Sequence, residues 1–171
     1  MSATSSTQLD VLLRKFDEDA LFRRLAIGSP TFSEMVAEAI MKDRTGQDYR
    51  LATHNAGSID LVAPDGQHVQ VKTVGTLPSF AGIRRGRDAA QQVMVITTFG
   101  ERIRFFLVPM QRFKSLARTY DYPTLKHFSW EISGHRIASG VLDEFEIEAS
   151  RGGTTEVDRL FPGLPPIPEH P

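Results

Sequence analysis

The chain contains no cysteine. That removes disulfides, thiolate zinc sites and thiol nucleophiles together, and makes a cytoplasmic protein the default expectation. The formal charge is only −1 over 171 residues. No overall field therefore draws the molecule to nucleic acid, and any such contact has to come from local basic patches. No segment approaches the roughly 20 apolar residues that cross a bilayer. Residues 1–7, Met-Ser-Ala-Thr-Ser-Ser-Thr, lack the basic and apolar regions of a secretory signal, so no membrane partner is expected. The 5 histidines lack metal-ligand spacing, and no nucleophile elbow, P-loop or dinucleotide glycine signature is found.

What the chain does have is length enough for one domain with a sizeable core, expected over residues 1–150, followed by a proline-rich tail over 151–171. Thr7 to Leu25 reads as an amphipathic helix carrying Leu9, Leu12, Leu13 and Phe16 on one stripe. Residues 28–30 break it, and a second helix is expected from Thr31 to Asp43, ended by Thr45 and Gly46. A short strand at Tyr49–Ala52 and a polar loop at 53–57 come next. Gly75 to Ala90 reads as a loop. Gln92–Thr98 and Arg102–Val108 are nearly continuous apolar strands, as in a sheet buried on both faces. A helix is expected from Pro109 to Arg118, a hairpin pairing His127–Ile132 with Arg136–Ala138, and an edge strand around Phe145 and Ile147. The order implies an α/β layer with a mixed β-sheet flanked by helices.

The chemistry concentrates between Ser58 and Thr73. Two alternating runs flank Pro64-Asp65-Gly66, in which glycine suits the left-handed position of a turn with a bulge. Pairing Ala63 with Gln67 sets Leu61 opposite Val69 and Ile59 opposite Val71, so apolar faces apolar. A slip of one residue would bury polar groups. This register puts Asp60 across from Gln70, with Cβ atoms roughly 5 Å apart, and Lys72 one step along the same face, opposite Ser58. An acid, an amide oxygen and an ammonium in that arrangement can hold a divalent cation beside a phosphate.

Asp60 followed by Gln70-Val71-Lys72 resembles the PD-(D/E)xK nuclease motif in the Gln-x-Lys form of Mrr-type restriction enzymes. The resemblance covers about residues 30–118. It implies a restriction-endonuclease-like core and a Mg²⁺- or Mn²⁺-dependent endonuclease that cuts DNA, in restriction, defence or repair. Asp60, Gln70, Lys72 and Glu34 would be its catalytic residues, and Asp60, Gln70 and the Val71 carbonyl its metal ligands. Glu34 and Gly46 fit the family's spacing between a helix glutamate and the glycine ending that helix, with Glu38 one turn later as the substitute. A small nuclease of this kind often works as a homodimer, so that both strands are cut. Gln70 stands where the family carries a carboxylate. This leaves a second expectation open, a catalytically silent nuclease-like subunit for nucleic-acid binding or assembly.

Local readings compete with these roles. Thr31-Phe-Ser-Glu34 is also a capping box. Val69-Gln70-Val71 also suits a half-solvated strand, and Lys72 a snorkelling surface lysine. Arg84, Arg85 and Arg87 form either a solvated loop or a set of phosphate contacts. Phe80, in the same segment, is available to stack on a base.

Overall fold

The computed structural model describes residues 3–27, 30–52 and 59–147. The expected loop at 53–57, Ser58, the break at 28–29 and the tail at 151–171 lie outside them.

Helix α1 (Ala3–Glu18) and helix α2 (Ala20–Ile27) replace the single helix expected to Leu25. The division falls at Asp19, whose Oδ1 accepts the Phe22 amide at 2.9 Å and so caps α2. A short acid serves better there than inside a helix, because it satisfies an amide that has no carbonyl partner. Asp17 accepts the Ile103 amide at 2.7 Å, which ties α1 to the sheet. Helix α3 (Pro30–Thr45) opens with proline in the first turn, where the missing amide costs nothing.

Among the described residues, nine short strands follow in two sheets. Strands β1 (Arg50–Leu51), β2 (Leu61–Val62), β3 (His68–Val74), β5 (Gln92–Thr97), β6 (Arg104–Pro109) and β9 (Glu146–Ile147) form one sheet in the order β1-β2-β3-β5-β6-β9. The β3–β5 pair is parallel and the other pairs antiparallel. The sheet is therefore mixed, as expected. Strand β4 (Phe80–Arg84) was hidden in the expected loop, and with β8 (His127–Ser133) and β7 (Arg118–Tyr122) it forms a second antiparallel sheet ordered β4-β8-β7. Helix α4 (Met110–Leu116) ends before Arg118, and Arg136–Ala138, expected as the return strand of a hairpin, lies instead in helix α5 (Gly134–Ala138). The Ser133 hydroxyl accepts the Arg136 amide at that helix start, so the serine acts as a cap where a turn had been expected.

The main sheet is buried on both sides, as the apolar runs predict. Met94, Ile96 and Phe105 pack with Leu13, Phe16, Val36 and Ile40 on the face covered by α1 and α3. Val93, Val95 and Phe106 pack with Ile83, Phe113 and Ile132 on the other, covered by the small sheet, α4 and α5. Each fully buried side chain of this size contributes about 1.5–3 kcal/mol, so alternation along β5 and β6 anchors the sheet from both directions. Arg104 bonds Glu146 at 2.6 Å and Asp143 at 2.8 Å, which fastens the β9 edge. No described helix is long and apolar enough to cross a membrane.

Backbone hydrogen bonds hold the turn after β3 against the start of α5. The Gly134 amide donates to the Ser79 carbonyl at 2.8 Å and the His135 amide to the Leu77 carbonyl at 3.1 Å. A Cβ at Gly134 would lie 2.6 Å from the Thr76 oxygen and 2.8 Å from the Leu77 oxygen. Since backbone has to move, Gly134→Ala is expected to lower stability by about 1–3 kcal/mol in urea unfolding. An unchanged midpoint would show that this contact is loose.

Candidate active site

The hairpin turn forms as its residues dictate. The Ala63 amide bonds the Gln67 carbonyl at 2.8 Å, Leu61 pairs with Val69, and Gly66 has φ +82°, a left-handed conformation that glycine adopts without strain. The register chosen from the apolar pattern is the one observed, but only as far as Leu61. The Asp60 amide donates to the Val69 carbonyl at 3.0 Å, one residue out of step, which is the geometry of a β-bulge. The Val71 amide, expected to pair with Ile59, instead donates to Asp60 Oδ2 at 2.6 Å. Asp60 is thus not directly across from Gln70. Its side chain substitutes for a strand, and β2 parts from β3 at this point. With the Asp60 carbonyl also accepting the Ala52 amide at 2.9 Å, the residue is fixed on three sides.

A cleft of about 500 Å³ opens where the strands fork, and Glu34, Asp60, Val71, Lys72, Thr73 and Thr98 line it. Four of these were expected at a site. Thr73 and Thr98 were not, and a threonine in a β-rich segment carries no signal that separates a wall from a strand filler. Glu34 reaches the cleft from α3. That helix starts at Pro30, so Thr31 lies inside it and the expected Thr31–Glu34 capping box does not form. Glu38, the substitute, is absent from the lining and pairs with Lys42 at 3.1 Å.

Lys72 has the most perturbed setting in the cleft. Burial pushes its pKa below the ordinary lysine value, against the pull of Asp60 and then Glu34, while Arg87 and Arg84 add to the depression. The two acids and the lysine are thus close enough for their charges to act on one another. Gln70 is placed differently. It is 5 % exposed, does not line the cleft, and its buried Oε1 has no hydrogen-bond partner among the described residues. An unsatisfied buried acceptor costs about 1–3 kcal/mol.

The donors present suit a hard cation. Mg²⁺ is commonly held by one or two carboxylates, keeping waters and substrate phosphate for the rest of its shell. Asp60 and Glu34 supply two carboxylates and Val71 a backbone carbonyl at the cleft wall, whereas Gln70, expected among the ligands, lies outside the lining. Among the described residues no cluster of three or more acidic or histidine side chains offers a closed metal cage, so the set fits an open, substrate-completed site. Arg84, Arg85 and Arg87 follow on the exposed end of β4 and the turn after it. None has an acidic partner within salt-bridge distance among the described residues. By contrast, Arg102, Arg104, Arg112 and Lys114 are all paired.

No family model and no curated protein matches the chain. Among solved structures the chain is similar to Hjc, a Holliday junction resolvase from Archaeoglobus fulgidus. The TM-score is 0.39 and the identity 11%, over 68% of this chain and 90% of that one.

The Asp60–Val71 bond separates structure from charge. Asp60→Asn keeps an oxygen for the Val71 amide and is expected to leave stability within about 1 kcal/mol of wild type, whereas Asp60→Ala orphans that amide and costs about 1–3 kcal/mol. Chemical denaturation of both variants measures this; equal stability of the two would remove the bond from the account of the fork.

Lys72 gives a second measurement. Its folded pKa lies below the unfolded value of 10.5, so between the two the unfolded chain binds more protons. Stability from this group therefore rises as pH rises through that window. Wild type should gain unfolding free energy relative to Lys72→Met as pH climbs toward 10.5. A flat difference would mean that the lysine is solvated.

Proposed function

We propose that the chain is a divalent-metal-dependent endonuclease acting on DNA, of the PD-(D/E)xK type in its Gln-x-Lys form. The observation that carries this is the convergence of Asp60, Glu34 and Lys72 on one cleft at the fork of two strands, with Arg84 and Arg87, which make no salt bridge among the described residues, near Lys72. Asp60 offers Oδ1 to the ion while Oδ2 stays with the Val71 amide, and Glu34 approaches from the helix side. The Val71 carbonyl is the remaining candidate ligand at the cleft wall, and Gln70 lies outside the lining. A bound Mg²⁺ or Mn²⁺ would supply charge against the phosphoryl oxygen and lower the pKa of its water.

Lys72 meets the scissile phosphate. Its depressed pKa makes its ammonium a readier proton donor than a solvated lysine, and its neutral amine is accessible for taking a proton from the attacking water. While protonated it stabilises charge gathering on the phosphoryl oxygens. Arginine would not replace it, being permanently charged and planar. Arg84, Arg85 and Arg87 hold neighbouring phosphates, which fixes position without reading sequence. A homodimer would let two such clefts cut two strands.

One observation favours a second reading. Gln70 replaces charge with a neutral amide at the centre of the motif, and its side chain is buried away from the cleft. That suits a nuclease-like subunit that binds DNA without turnover. Plasmid incubated with Mg²⁺ or Mn²⁺ separates the two. Cleavage is expected in wild type and is expected to fall at least about 100-fold in Asp60→Ala and Lys72→Ala, as removal of a group acting in the transition state implies. Binding without cleavage in either metal would favour the silent subunit, and cleavage surviving in both variants would sink the proposed site.

A further inference from the structure

The outer face of the small sheet carries aromatic rings that the cleft chemistry does not use. Register fixes its members: Gly82 pairs with Glu131 and Arg84 with Ser129, while Arg118 pairs with Glu131, Tyr120 with Ser129 and Tyr122 with His127. Because side chains alternate across a sheet, Phe80, Gly82, Arg84, Tyr120 and Tyr122 share this face. Phe128 and Trp130 lie on the other and pack against each other edge to face. The outer rings are on the surface, with Phe80 48% and Tyr120 41% exposed. Tyr120 and Tyr122 are 6.3 Å apart between centroids, and Tyr122 stacks on His127 at 4.9 Å.

The middle of the face is low. A Cβ at Gly82 would lie 2.9 Å from the Phe80 ring, so the ring leans over the glycine, and Ser129 is the small residue beside it. The result is a cleft of about 520 Å³ whose lining includes Phe80, Arg84, Tyr122, His127 and Lys72. Lys72 also lines the cleft that holds Asp60 and Glu34, so the two join at the lysine. The acid in this trough, Glu131, is 7% exposed and accepts the Tyr122 hydroxyl at 2.9 Å, which keeps it from a passing phosphate. Arg84 and Arg118 make no salt bridge among the described residues.

We propose that this face binds an unpaired strand of DNA, its bases stacked on Phe80, Tyr120 and Tyr122 and its backbone led by Arg84 to Lys72. A surface that offers separate ring faces, a narrow trough and spaced cations matches splayed single-stranded bases, whose faces a closed duplex keeps stacked internally. The proposal rests on the nuclease reading of the adjoining cleft and narrows its substrate to DNA with a single-stranded segment at the cut.

Fluorescence anisotropy on the full chain in EDTA tests it, with labelled oligodeoxythymidine, a blunt duplex of equal length and oligouridine as probes. Oligodeoxythymidine is expected to bind most tightly, and Phe80→Ala and Tyr120→Ala each to weaken it about tenfold, the usual loss for one stacked base. Both residues are exposed enough for the variants to fold, which circular dichroism checks. Duplex binding as tight as the single strand, or substitutions that change affinity less than twofold, would overturn the proposal. Oligouridine binding at least as tight as oligodeoxythymidine would overturn the assignment to DNA. A homodimer that Tyr120→Ala dissociates would overturn it too, by showing that the rings face a second copy. EDTA keeps the outcomes separate. Ring-dependent binding with no Mg²⁺- or Mn²⁺-dependent cleavage of either oligodeoxythymidine or plasmid would end the nuclease reading and keep the groove, whereas Asp60-dependent cleavage of both, indifferent to Phe80→Ala, would do the reverse.

Discussion

The Val71 amide needs an acceptor at the point where β2 leaves β3, and Asp60 Oδ2 provides it at 2.6 Å. A backbone amide at a strand edge must bond something. If it bonded the next strand, β2 and β3 would zip past Asp60 and close the cleft. Because a carboxylate takes that place, the ladder stops, the strands diverge, and one carboxylate oxygen stays with the chain while the other is left over. The interaction that ends the sheet therefore also aims the acid. Lys72, one residue along, inherits its position from the same fork, with burial disfavouring its charge and Asp60 restoring part of it.

Local sequence patterns revealed much of this, and their limit is instructive. The turn at 64–66 and the Leu61–Val69 pairing were legible because both depend on neighbours in the chain: a glycine with positive φ and an alternation that only one register satisfies. The bulge at Asp60 was not. It depends on whether a side chain outcompetes the Ile59 carbonyl for one amide, and alternation carries no information about that contest. The convergence of Asp60 and Lys72 survived the one-residue shift. The opposition of Asp60 and Gln70 did not, and Gln70 went into the interior beside Val93. Glu34 was legible as a candidate, but its capping alternative turned on where α3 begins, which Pro30 settles by starting the helix earlier.

Further from the hairpin, legibility fell with dependence on distant partners. The apolar runs of β5 and β6 announce themselves, since burial on both faces leaves no room for polar residues. Phe80–Arg84 does not. Glycine at its centre, proline before it and arginines after it read as a loop, and only pairing with β8, some fifty residues on, makes it a strand. Arg118–Tyr122 is illegible for another reason: its partner β8 follows a few residues later, but its almost wholly exposed side chains offer no hydrophobic alternation. The small sheet is thus a product of tertiary pairing that composition argues against, and residues poorly suited to a core are retained on its outer face.

That mismatch bears on how the two clefts relate. A sheet that existed only to cover Val93, Val95 and Phe106 would need apolar residues inside and polar, flexible ones outside. Its inside conforms, with Ala81, Ile83 and Ile132 fully buried. Its outside carries rings, at positions where solubility would be better served by lysine or glutamate. Arginines without acidic partners among the described residues stand along the same face and at the end of β4, while cations near β6 and β9 are paired off. Separating free cations from neutralised ones gives a near-neutral molecule a local positive path, and that path ends at Lys72. On the proposed reading, a fork that stops one ladder and a platform that presents rings beside it serve a single geometry: a strand laid flat, with one phosphate delivered to the lysine.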